Sequence, residues 1–148
     1  MPTATWQRLD PRRREAVVAA AEREFGAHGF SAGSLNVIAR EARVAKGSLF
    51  QYFDDKLDLF AYVSDEAGSR VRAHMVEVAE RLREGRPFFE FLAELLEEWV
   101  AYFSTHPLER ALTAAVNLEA DPAARETVRE VVNRHYLEVL GPWLSEAR

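Results

Sequence analysis

The sequence predicts an all-α protein in which a compact three-helix unit, residues 1–55, is followed by a helical body, residues 56–148. Two observations lead there. Proline, glycine and short polar residues cut the chain into helix-length pieces whose apolar residues recur every three or four positions, and the alternation expected of strands is largely missing. Two very short amphipathic pieces, 35–42 and 46–53, are separated by about three residues, the layout of a helix-turn-helix.

Taken in order, Asp10-Pro11 supplies a capping side chain and a proline for the first helical position, after which Val18, Ala21 and Phe25 recur at helical spacing until Gly29 ends the run. Ser34 caps the second piece, "LNVIAREA", with Leu35, Ile38, Ala39 and Ala42 as its apolar stripe. The third, "KGSLFQYF", turns Val44, Leu49 and Phe53 inward and leaves Lys46, Ser48, Gln51 and Tyr52 outward. Asp54 and Asp55 suit the partial positive charge at the start of a fourth helix, which Leu57, Phe60 and Val63 lead to about Glu84. "GRP" at 85–87 breaks it. The most apolar piece follows, with Phe88, Phe91, Leu92, Leu95, Leu96, Trp99 and Phe103 on a broad face expected to be buried. Asp121-Pro122 opens a last helix through Val128, Val132 and Val139, and Gly141-Pro142 is expected to interrupt it.

Composition narrows the function. Cysteine is absent, which removes disulfides, thiolate metal sites and a cysteine nucleophile. No apolar run nears the roughly 20 residues that span a bilayer, and the amino-terminal segment has no apolar signal core, so a cytoplasmic protein without a membrane partner is expected. The net charge is −5, yet residues 1–60 carry 9 Lys or Arg against 8 Asp or Glu, while residues 61–148 carry 10 against 16. A basic-leaning unit on an acidic body can meet a polyanion through one face. The four histidines are scattered, no catalytic motif is present, and Glu90, Glu94, Glu97 and Glu98 fit the wet face of one helix, so neither an enzyme nor a cofactor is expected.

The outward face of the third piece carries donors and acceptors that reach phosphates and base edges from a helix in a major groove, and Gly47 allows close backbone approach. The run "FGAHGFSAGSLNVIAREARVAKGSLFQYFDDKLDLF", residues 25–60, resembles the DNA-binding region of TetR-family transcriptional regulators. Phe25, Gly29, Phe30, Ile38, Ala39, Val44, Lys46, Gly47, Leu49, Tyr52, Phe53 and Lys56 carry the likeness. It implies that residues 46–53 are the recognition helix, with Lys46, Ser48 and Gln51 on DNA, Tyr52 on a phosphate, Lys56 clamping another, and Ser34 and Asn36 reaching the backbone or a base. Arg43 stands where the family turn has glycine, so either the turn is adjusted or Arg43 takes a positive φ at a cost of about 1–2 kcal/mol, which phosphate contact can offset. Ala45 replaces the usual serine cap and Phe50 a frequent tyrosine.

The resemblance further implies a ligand-binding and dimerisation body that displaces the fourth helix when an effector binds, and a homodimer that reads a palindromic operator on double-stranded DNA. Half-sites are then about 34–36 Å apart. Family members continue through two further helices, so the body is expected to be shortened at its carboxyl end. Phe88, Phe91, Trp99, Tyr102, Phe103 and Tyr136 are candidates to line an apolar pocket, with Asn117, Arg110 and His135 as polar candidates for a head group. The segment "FFEFLAELLEEWVAYFSTHP" is similar to family members that sense fatty acyl compounds, so a fatty acid or acyl-CoA is the effector class it suggests. The alternative is a helical protein-interaction module that keeps the fold without binding DNA.

Overall fold

The computed structural model describes residues 1–146, which form eight helices and no strand. They are α1 (Ala4–Gln7), α2 (Pro11–Ala32), α3 (Leu35–Ala42), α4 (Lys46–Tyr52), α5 (Lys56–Leu82), α6 (Phe88–Thr105), α7 (Pro107–Asn117) and α8 (Pro122–Glu146). Side-chain caps hold four of the helix starts. Asp10 Oδ1 accepts from the Arg12 amide at 2.8 Å, Ser34 Oγ from Val37 at 3.2 Å, Asp55 Oδ1 from Asp58 at 2.7 Å and Asp121 Oδ1 from Ala124 at 2.9 Å. Ala45 heads α4 with no side-chain cap.

Three local expectations are corrected. Gly29 breaks the helical path with φ 74°, but helical turns resume beyond it to Ala32, so it kinks α2 rather than ending it. Pro142 does not stop α8, which runs on to Glu146. A proline one turn from the end costs little beyond one backbone bond, and Trp143 packs on Phe91 at 5.2 Å between ring centres, holding the final turn. The broad face of α6 is buried only in part. Phe91 and Leu95 are enclosed, whereas Leu96 is 53% exposed and Phe89 and Val100 project outward.

Side chains gather into two cores. The first joins Trp6, Phe25, Ile38, Leu49 and Phe53 of the amino-terminal unit to Leu59, Phe60 and Val63 of α5, and reaches Leu112, Val116 and Val128 of α7 and α8. The second is built from Val71, Met75, Val78 and Ala79 of α5 against Phe91, Leu95, Tyr102 and Val139. Burying one such large side chain stabilises by about 1.5–3 kcal/mol, so α5 is anchored firmly at both ends.

Polar ties reinforce the seam. Glu119, buried, accepts from the Phe30 amide at 3.3 Å and the Ser31 hydroxyl at 3.5 Å, fixing the kinked end of α2 to the link before α8. Arg70 of α5 reaches Glu22 of α2 at 2.8 Å and Glu109 of α7 at 2.9 Å. Burial raises the Glu22 pKa despite that guanidinium, with the charges of Glu109 and Glu66 pushing the same way. Arg70 is desolvated too, but it faces two carboxylates, and their hydrogen bonds and charges raise its pKa overall.

Arg43 takes the left-handed conformation with φ 58° and ψ 41°, closing α3 with its amide on Arg40 O at 3.2 Å and the Val44 amide on Ala39 O at 3.0 Å. Arg43→Gly is expected to raise stability by about 0.5–1 kcal/mol, the relief of that conformation less the entropy cost of glycine. Urea unfolding followed by helical circular dichroism measures it, and an unchanged or lower midpoint would refute strain at this turn. A second expectation concerns Glu22. A carboxylate whose folded pKa is raised holds its proton better in the native state, so its stabilisation is present below the ordinary value of 4.5 and is lost as pH rises through the raised one. Glu22→Gln should therefore gain stability relative to the native chain between pH 4 and 7, and a relative loss over that range would show that the Arg70 pair outweighs burial.

Candidate functional site

On α4 the outward face consists of Lys46, Gly47, Phe50 and Gln51, all exposed, with Ser48 half-buried at its edge. Leu49 and Phe53 turn inward as the periodicity requires. Tyr52 does not face outward as the sequence suggested. It is 7% exposed, its ring 5.8 Å from that of Trp6. The cause is α1, which periodicity alone did not reveal. Thr3 donates its hydroxyl to Gln51 O at 2.5 Å and its amide to Tyr52 O at 2.9 Å, satisfying the last carbonyls of α4, while Trp6 drops into the core beside Tyr52 and Phe53. The short helix is thus braced at its carboxyl end by the amino-terminal segment.

Tyr52 still lines a surface cleft together with Arg12, Arg13, Arg43, Ala45 and Ser48. Arg12 and Arg13 were not singled out as site residues; the run "PRRRE" was the signal, and only the packing of α2 beside the turn places it here. Among the described residues Arg12, Arg13, Arg40, Arg43 and Lys46 form no ion pair, whereas Arg23, Arg70, Arg72 and Arg134 are each paired with a carboxylate. A group of cations without a carboxylate partner thus lies around the turn and the amino-terminal end of α4. Asn36 and Arg40 are exposed on α3, and the Ser34 hydroxyl is engaged in its cap. Lys56 lies apart from the cleft lining, donating to Ser31 O at 3.1 Å with its ammonium 4.9 Å from the centre of the Phe30 ring. Two of its three donors remain for another acceptor.

A cavity lies within the body, walled by Ala67 and Val71 of α5, Trp99 and Phe103 of α6, Thr113 and Val116 of α7, and His135 and Tyr136 of α8. Of the predicted lining residues it gathers Trp99, Phe103 and Tyr136. The others lie elsewhere: Phe91 packs on Trp143, Phe88 on Phe89, and Asn117 is exposed with its amide on Thr113 O at 2.9 Å. Tyr102 stacks on His106 at 3.8 Å between centres, and burial and then the Glu109 charge raise its pKa. Ala67, Val71 and Thr113 went unpredicted because small residues on helix interiors give no signal of a cavity until the helices are packed. Its volume is ≈ 40 Å³, room for a few waters.

Residues 17–63 match the family model described as bacterial regulatory proteins, tetR family. The HTH-type transcriptional repressor BepR of Brucella suis is 28% identical over 137 residues, 91% of this chain and 57% of that protein. Residues 17–63 are thus similar to the DNA-binding segment of TetR-family regulators. The fatty acid degradation regulator FadR from Bacillus halodurans superposes with a TM-score of 0.70 at 22% identity, over 94% of this chain and 69% of that one. FadR from Bacillus subtilis, solved in complex with stearoyl-CoA, gives 0.67 at 23% over 89% and 69%. These structural likenesses establish a TetR-like all-α fold. The chain spans little more than half the length of the Brucella repressor. No helix among the described residues is long and apolar enough to cross a membrane, and none of their His, Asp and Glu side chains cluster as a metal site would require.

Within that TetR fold the helix-turn-helix is α3, the Arg43 turn and α4. The expected glycine of the turn is replaced by a residue that adopts the same backbone conformation and adds a cation beside Arg12 and Arg13.

Proposed function

We propose that this protein is a ligand-responsive, sequence-specific DNA-binding transcriptional regulator, a repressor that leaves a palindromic operator when a small apolar effector binds. The observation that supports the reading best is the group of unpaired cations, Arg12, Arg13, Arg43 and Lys46, around an exposed helix of groove-reading length. In this reading Lys46, Ser48 and Gln51 meet base edges or phosphate, Gly47 and Ala45 let the backbone come close, and Asn36, Ser34, Tyr52 and Lys56 contribute from the periphery. Residues 1–55 act as the DNA-binding unit and 56–148 as the regulatory one, working in a homodimer.

The effector enters the space between α5, α6, α7 and α8. Drug-sized ligands occupy about 300–1,000 Å³, so a fatty acyl compound, the class suggested by the α6 segment, requires these helices to separate. Because Phe60 and Met75 tie the two ends of α5 into different cores, such a separation moves the helix that positions α4. The ligand then lowers operator affinity by its preference for the opened state.

Selection of duplexes from a randomised DNA pool tests the reading, run beside the Lys46→Ala, Gln51→Ala double variant, whose altered positions are exposed and whose helical circular dichroism should match the native chain's. The native chain should enrich an inverted repeat and the variant should not. Binding should weaken steeply with salt, with a slope of about −0.9 per phosphate contacted, and Arg12→Ala with Arg13→Ala should make that slope shallower. Absence of enrichment, or binding insensitive to salt, would favour a protein-interaction module, for which the half-exposed Phe50 on the outward face of α4 is the supporting feature.

A further inference from the structure

His135 is one of the few polar residues enclosed in the body. It is 7% exposed, and its ring edge lies against α5, where Nε2 is 2.7 Å from Asp65 Oδ1. Asp65 Oδ1 also receives Arg134 Nη2 at 3.1 Å, so the carboxylate is held from two sides. A carboxylate only accepts, so in the neutral imidazole the proton lies on Nε2 and Nδ1 is left as a lone-pair acceptor. That Nδ1 is buried and has no partner. A buried polar atom left unmatched costs free energy, and few native groups stay so without a reason. The position is built for this ring: a Cβ at Gly68 would stand 2.6 Å from His135 Cδ2 and 3.0 Å from Nε2, so glycine is what lets the imidazole lie against α5. His135 and Gly68 both line the cavity, whose remaining walls are largely apolar.

We propose that His135 is the polar anchor of this cavity, its Nδ1 accepting a hydrogen bond from a hydroxyl group on an otherwise apolar ligand, with Asp65 fixing the tautomer and Gly68 the ring position. The inference rests on reading the cavity as the effector site and specifies what the effector must present there. An alcohol or phenol brings the donor that Nδ1 lacks. A carboxylate brings only acceptors, against a lone pair and with the Asp65 charge behind it, so a free fatty acid is disfavoured relative to the alcohol of the same chain length. The aromatic rings of Trp99, Phe103 and Tyr136 accept the apolar part.

Direct binding of three probes of similar chain length, 1-octanol, methyl octyl ether and octanoate, to the full chain decides the matter by calorimetry without DNA. The native chain should bind octanol about tenfold more tightly than either of the others, the increment of one hydrogen bond made in a dry site. His135→Gln keeps an amide donor for Asp65 and has no acceptor in the place of Nδ1, so the three affinities should converge to within about twofold. Gly68→Ala, which displaces the ring and favours the helix, should do the same and covers the case in which the glutamine variant fails to fold. Equal affinities in the native chain, a preference that survives both substitutions, or no binding of any probe overturns the proposal. Octanol bound with the His135-dependent preference but leaving an operator complex intact refutes the regulatory reading while the site stands. Operator release by a compound that binds the native and His135→Gln chains equally does the reverse.

Discussion

Helix α5 is held in two cores at once, and the rest of the molecule is arranged around that constraint. Phe60 lies against Phe25 with ring centres 5.0 Å apart and against Phe30 at 5.4 Å, so the start of α5 belongs to the packing that also fixes α3 and α4. Two turns later the same helix forms the cavity wall at Ala67 and Val71, and two turns beyond that Met75 and Val78 are enclosed by α6 and α8. A helix is stiff over such a length, so rearrangement at one end is carried to the other unless α5 bends. The Arg70 bridge to Glu22 and Glu109 crosses the seam midway and opposes sliding of α2 and α7 against it. Burial raises the Glu22 pKa while the facing carboxylates raise that of Arg70, and a partly buried bridge of this kind fixes geometry more than it adds stability.

The cavity and the cationic cleft have opposite characters, and each follows from what surrounds it. Among the described residues the cations around α4 form no ion pair, so their charge is available to an incoming anion and is screened by salt. In the body most cations are paired, Arg72 with Glu138 at 2.5 Å for one, and the acidic excess lies on its outer surface. A polyanion is thus drawn to one end and kept off the other. The cavity, by contrast, is small and largely apolar, so a larger ligand would have to displace side-chain contacts, and in the proposed reading helix separation couples occupancy to the position of α5.

How far the sequence revealed this depends on the range of the interactions involved. Caps at Asp10 and Ser34 and the missing cap at Ala45 are local consequences of residue type, and they are as the sequence implied, while at Arg43 the left-handed turn is the one of two open alternatives that the structure adopts. Tyr52 was misjudged because the ring that draws it inward, Trp6, is 46 residues away on a four-residue helix with too few positions to show a period. Arg12 and Arg13 were visible as a charge run but not as neighbours of Arg43. In the body, helical periodicity told which aromatics share a face without telling what each face meets. Trp99, Phe103 and Tyr136 therefore reached the cavity, and Phe88, Phe91 and Tyr102 went to other packing. The anchoring of His135 depends on Asp65 and Gly68, some seventy residues earlier, and is invisible to any local pattern.

Mapping amide chemical shifts of the full chain during titration with a short duplex at low salt tests the central claim, that the face around α4 meets DNA, most directly. Phosphate attraction suffices for an encounter under these conditions even when the sequence is not the preferred one. The account predicts shifts concentrated at Arg12 and Arg13, at Asn36 and Arg40, and from Arg43 to Gln51, fading as salt is added, with α6 and the outer face of α8 unmoved. Shifts confined to α6 and α8, or none near Lys46 at any duplex concentration, would contradict it.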